Sequence, residues 1–166
     1  PSAAGTATST FQGDVLITGK LDVSTIDPVY TIDGTKYATY GLSSIGVKEE
    51  MATTITLAQK NAKTGKYEYA INFDSLEEGS DLWLFYQVTE FGSEWKDLVV
   101  TATDGFDGTV SYRKDAAAGA LYITSAKSGE VSLRLIANRF DAHTWPNLRP
   151  DQDGGFKGFE INSKKK

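Results

Sequence analysis

The chain has 166 residues, 40% of them hydrophobic and 23% charged, with a net charge of -5 and no cysteine. That length is one domain by default, and the composition is that of an ordinary globular protein. The acidic balance disfavours a nucleic-acid partner, whose phosphates require a basic footprint, and none is expected. No apolar run approaches the ~20 residues that span a bilayer, so no membrane insertion is expected, and without cysteine there is no disulfide, thiolate metal site or thiol nucleophile.

Residues 1–10 are small and polar, with neither Met nor a signal-peptide pattern, which predicts a mature or excised chain of the kind found in exported proteins. None of the asparagines (61, 72, 138, 147, 162) begins an Asn-x-Ser/Thr sequon. The expected location is extracellular or at the cell surface.

From residue 11 to residue 23 the odd positions carry Phe11, Val15, Ile17, Leu21 and Val23, with Gly13 and Gly19 between them, while the even positions are mostly polar. Strict alternation predicts a strand with one apolar face. Phe11, Ile17, Val23 and Val29 also recur with a period of six residues. Two readings compete: successive strands hinged at Gly19, or an extended arm that adds to another subunit's sheet or winds into a fibre stem. The arm side chains would then be Phe11, Val15, Ile17, Leu21 and Val23.

Asp27-Pro28 ends the arm. In residues 31–37, Asp33-Gly34 lies between apolar flanks and predicts a type I′ hairpin turn. Residues 41–50 read as irregular. Strands are expected over 53–57, with Thr53, Ile55 and Leu57 on one face, and over 67–73, with Tyr67, Tyr69, Ile71 and Phe73 together.

Residues 82–88 follow, rich in large apolar side chains, uncharged and flanked by turn residues; the run predicts a central strand buried on both faces. Further strands are expected at 97–101, 110–112, 121–124 and 130–137, the last with Val131, Leu133 and Leu135 inward. Residues 138–155 read as a long loop, and 156–161 as a final strand.

Many short strands between turn signals predict an all-β fold: an antiparallel β-sandwich of about 8–10 strands, jelly-roll or Ig-like, with the extended N-terminal arm. The expected organisation is a small-residue lead and β-arm over 1–26, the sandwich over 27–161, and a basic tail over 162–166.

Catalytic parts are scarce, and no enzyme is expected. The single histidine, His143, follows Asp141 by two positions, but no nucleophile motif accompanies them. Glu49-Glu50 and Glu77-Glu78 are sequence neighbours, which on a strand would point apart, the wrong arrangement for an acid–base pair.

Asp151, Asp153, Gly154 and Glu160 match the third, fifth, sixth and twelfth positions of a calcium loop, but Arg149 stands at the first. Asp151, Asp153 and Glu160 are therefore candidate calcium ligands on an incomplete pattern, and no other cofactor is expected.

Trp95 and Trp145 fall outside the expected strands. They read either as lids over the ends of the sandwich or, for Trp145 with Asp141, Asn147 and Arg149, as a platform that stacks a glycan.

Three stretches carry a resemblance: Gly13-Asp14-Val15-Leu16-Ile17-Thr18-Gly19-Lys20-Leu21-Asp22-Val23, Val29-Tyr30-Thr31-Ile32-Asp33-Gly34-Thr35-Lys36-Tyr37-Ala38-Thr39-Tyr40, and Gly79-Ser80-Asp81-Leu82-Trp83-Leu84-Phe85. The first is similar to the glycine-patterned β-stem rungs of bacterial surface and phage tail-fibre proteins. Together they resemble a C-terminal β-domain that ends large bacterial surface proteins. The resemblance implies an exported structural role and no catalytic motif. The expected function is a non-catalytic surface fibre or filament subunit, a homo-oligomer built by strand addition of the arm; the alternative is a carbohydrate-binding module.

Overall fold

The structure, a computed structural model, describes residues 11–18, 21, 26, 29–38, 44–145 and 147. These fall into two compact units, one within residues 1–43 and one within residues 44–149.

In the first unit, β1 (Val29–Ile32) and β2 (Thr35–Ala38) form an antiparallel hairpin with Ile32 opposite Thr35. Asp33 (φ 50°) and Gly34 (φ 80°) both take the left-handed conformation, as a type I′ turn demands and as Asp-Gly predicts. Residues 11–18 form no strand. Alternation supplies a face, but a strand also needs a partner ladder for its backbone, and among the described residues none pairs with this segment. Val23 of the expected arm lies outside the described residues.

In the second unit the β-rich reading holds, with two antiparallel sheets and one short helix. β3 (Lys48–Leu57) begins inside the stretch expected to be irregular. It pairs along its whole length with β9 (Gly129–Arg139). The other side of β9 takes β5 (Thr89–Glu90) and β6 (Val99–Asp104) in succession. The second sheet has β8 (Ala120–Ser125) between β4 (Tyr67–Asn72) and β7 (Val110–Asp115).

Alternation decides which side chains go inside: Ile55 and Leu57 on β3, Val131, Leu133 and Leu135 on β9, Leu121 and Ile123 on β8 are all buried in one apolar cluster. Each contributes about 1.5–3 kcal/mol relative to exposure.

The expected central strand over 82–88 is corrected. Asp81–Val88 is a two-turn α-helix, α1. As a strand it would present Trp83 and Phe85 on one face and Leu82, Leu84, Tyr86 and Val88 on the other, and both would need cover. As a helix it directs Leu82, Phe85 and Tyr86, at i, i+3 and i+4, into the core and leaves Leu84 outward. Gly79 (φ 83°) turns the chain, and the Ser80 hydroxyl caps the helix by accepting the Trp83 N–H at 3.3 Å. Two turns are marginal alone. Packing holds them, together with β5, which follows directly and ties onto β9.

Phe73, Phe91 and Trp95 meet pairwise edge to face, with centroids 5.2–5.3 Å apart. Such pairs are worth about 0.5–1.5 kcal/mol each beyond burial. Trp95 is thus core, reached through a turn in which Glu94 (φ 52°) and Trp95 (φ 55°) are both left-handed. Lys114 braces that turn, donating to the carbonyl oxygens of Trp95, at 2.8 Å, and of Leu98.

Candidate functional site

One recess is a groove of about 290 Å³ between β3 and α1. Its strand wall is four consecutive residues of β3, Glu49 to Ala52, and its helix wall is Asp81, Leu84, Phe85 and Val88. Those helix positions are i, i+3, i+4 and i+7, a single stripe. Consecutive strand residues point to opposite faces, so what meets the helix is the edge of β3 itself. Among the described strands only β9 pairs with β3, so that edge carries no ladder.

The floor is apolar, with Met51 half-buried and Phe85 buried, while Leu84 is 53% exposed at the lip. Glu49, Glu50 and Asp81 make an acidic rim. Glu50 accepts from Arg134 at 2.6 Å, which holds its carboxyl below the usual range.

A second recess, about 560 Å³, lies over the outer face of the β4-β8-β7 sheet. Tyr122 stands at its centre with the Arg113 guanidinium 4.2 Å from the ring centroid. Arg113 also pairs with Asp115 at 2.7 Å. Asn61 donates to Glu68 at 3.0 Å on the same surface. The Tyr122 ring there carries a cation, and Asn61 and Glu68 are polar groups lining the same recess.

Three of the four residues read as a glycan platform are described. Asp141 accepts from Arg139 through both carboxylate oxygens, at 2.5 and 3.0 Å, and from the Trp145 indole N–H at 2.9 Å. The Arg139 fork, then the indole, hold its pKa down to about 2. Trp145 is 40% exposed, and Asn147 is turned to another task, accepting the Gly46 N–H at 3.1 Å. Asp141 and Trp145 are brought together; Asn147 does not join their hydrogen bonds, and Arg149 lies outside the described residues. His143 is exposed in the 3-10 turn Ala142–Thr144, and the Asp141 carboxylate is engaged by Arg139 and Trp145 instead.

Of the arm residues, Phe11, Val15, Ile17 and Leu21 are exposed. The candidate calcium ligands Asp151, Asp153 and Glu160 lie outside the described residues. Among the described residues no three His, Asp or Glu side chains are grouped to hold a metal, and no helix is long and apolar enough to cross a membrane.

The β3–α1 groove is hidden in the sequence because the apolar run of its helix wall reads as strand. The signal was present as the 81/84/85/88 spacing, once Ser80 is read as a helix cap. Compared with known proteins, the chain matches no protein family, no curated protein and no solved structure.

Proposed function

We propose that this chain is a non-catalytic extracellular structural protein, a subunit or terminal module of a surface fibre or filament, in which the N-terminal arm of one copy adds as a strand to the sheet of another. The two sheets are read as the layers of a β-sandwich, whose open edges are the acceptors.

The observation that carries this reading is the arm. Phe11 (71%), Val15 (56%), Leu16 (87%) and Ile17 (46%) are all exposed on a backbone that pairs with no strand among the described residues. Contiguous large apolar side chains in water mark an interaction surface, and unpaired sheet edges are the natural partners of an extended segment. One arm and one acceptor per chain make a head-to-tail contact that does not close on itself, so the product is a filament.

Deleting residues 1–26 is expected to abolish large species in light scattering. If both assembly and the thermal melt were unchanged, the reading would fail.

The recess around Tyr122 favours a second reading, a carbohydrate-binding module. A sugar would take the place of the Arg113 guanidinium on the ring and use Asn61 and Glu68 as polar partners. A glycan array with Tyr122→Ala and Trp145→Ala as controls separates this from the first reading.

A further inference from the structure

We infer that the groove between the unpaired edge of β3 and the 81/84/85/88 stripe of α1 is the acceptor, and that its occupant is the segment 11–21 of a second copy of this chain. The inference rests on the assembly reading above and adds where the arm lands.

The described edges are not equal. The outer edge of β4 is partly taken, since Lys60 bridges to Tyr67 and the Glu68 N–H donates to the Gln59 carbonyl at 2.9 Å. The edge strand β7 carries Arg113, Lys114 and Asp115 in a row, the charged pattern that discourages pairing. β6 is six residues long and ends in Asp104. β3 is the longest edge, at ten residues, and its edge is the one a helix faces with an apolar stripe in these recesses.

Size agrees. Ten strand residues reach about 34 Å at roughly 3.4 Å each, and an extended segment 11–21 matches that reach. A stable specific contact hides about 800 Å² on each partner, more than the four strand residues of the groove alone provide. An arm paired along most of β3 would hide more surface than one seated on those four residues. One aromatic side chain such as Phe11 accounts for roughly 150–250 Å², and Val15, Ile17 and Leu21, on the same face of an extended chain, supply much of the rest.

Charge does not oppose the pairing. Glu50 is engaged by Arg134, which leaves Glu49 and Asp81 as the acidic rim. Segment 11–21 carries one anion, Asp14, and one cation, Lys20, so it has no net charge, and Lys20 is the group that complements the rim. An added strand that turns its odd-numbered side chains toward Leu84, Phe85 and Val88 would cover the exposed Leu84 and satisfy the backbone groups of the β3 edge in one step.

The full-length chain, which has no cysteine, allows a direct test. Ile17→Cys and Leu84→Cys are made in separate preparations, mixed and oxidised, and Leu84→Asp is measured by light scattering and thermal melting. The expected results are a disulfide-linked pair from the mixture and assembly weakened on the order of tenfold or more by Leu84→Asp, as for a central apolar contact, with the melt retained because Leu84 is exposed. If deletion of residues 1–26 abolishes assembly while Leu84→Asp and the mixed crosslink are silent, the acceptor lies elsewhere and the assembly reading survives. If the full-length chain stays monomeric at every concentration, the assembly reading and the acceptor fall together. Crosslinking within a monomeric Ile17→Cys/Leu84→Cys double variant would also overturn the assignment, because the arm would then pair with its own chain.

Discussion

Trp95 and Trp145 each close a single 3-10 turn, and each donates its backbone N–H to the carbonyl three residues back at 3.1 Å, Gly92 for one and Ala142 for the other. Beyond that they are held by different physics. Trp95 is 8% exposed, wedged edge-on between Phe73 and Phe91, and it keeps two consecutive residues in left-handed backbone that costs about 1–3 kcal/mol apiece. Trp145 keeps a negative φ (-123°), is 40% exposed, and is tied by its indole N–H to a carboxylate that Arg139 keeps ionised. Burial offsets strain and is indifferent to salt; a charged anchor works only while the charge persists. The first turn belongs to the stability of the fold, the second to conditions at its surface.

The largest test of that contrast is Trp95→Ala, expected to destabilise by about 3–5 kcal/mol in denaturant melts. Trp95→Gly should cost less than Trp95→Ala, reversing the usual order, because glycine takes the left-handed conformation without penalty. An alanine variant as stable as the parent would remove the case for burial as the restraint. Next comes Lys114→Met, which takes the ammonium donor from the carbonyls of Trp95 and Leu98, the former keeping only the Leu98 N–H at 3.4 Å, and should cost about 1–3 kcal/mol.

The smallest effect is expected from Asp141→Asn, and it should depend on pH. The folded pKa of Asp141, about 2, lies below the ordinary value near 4. Its contribution is therefore fully present above about pH 4 and is lost as pH falls through about 2. The stability gap between parent and Asp141→Asn should close over that window, followed by thermal melting, and Trp145 fluorescence should lose its matching transition in the variant. A gap that stayed constant down to pH 2 would argue against the anchor.

How much of this was legible in the sequence differs by element. The β1–β2 turn was legible because Asp33-Gly34 has few other uses between apolar flanks. The buried faces of β3 and β9 were legible because alternation over Ile55 and Leu57, or Val131, Leu133 and Leu135, is a local record of which side meets the core. The helix α1 was not, because nearly every position is apolar and a period of 3.6 hardly stands out from a continuous run. Only its ends distinguish it, Gly79 and Ser80 before and Thr89 after. The groove was less legible still, since its two walls lie far apart in the chain and the register that joins them is a property of the fold. The Asp141–Trp145 contact was within reach of sequence reasoning, being four residues apart. Asn147 was not, since its acceptor role depends on Gly46.

The position of β9 has a consequence for how this chain comes to be folded. Every strand of its sheet pairs with it, and its partners include Lys48 opposite Asn138 and Leu57 opposite Gly129, contacts that close loops spanning well over half of the unit. The β7–β8 hairpin can form early and locally, but β3, β5 and β6 have no template until the last of the second unit's strands has emerged. Folding with so many distant pairings is slow by comparison with a helical bundle of equal size. During synthesis β3 would wait with both edges bare, and β9 quiets only one of them.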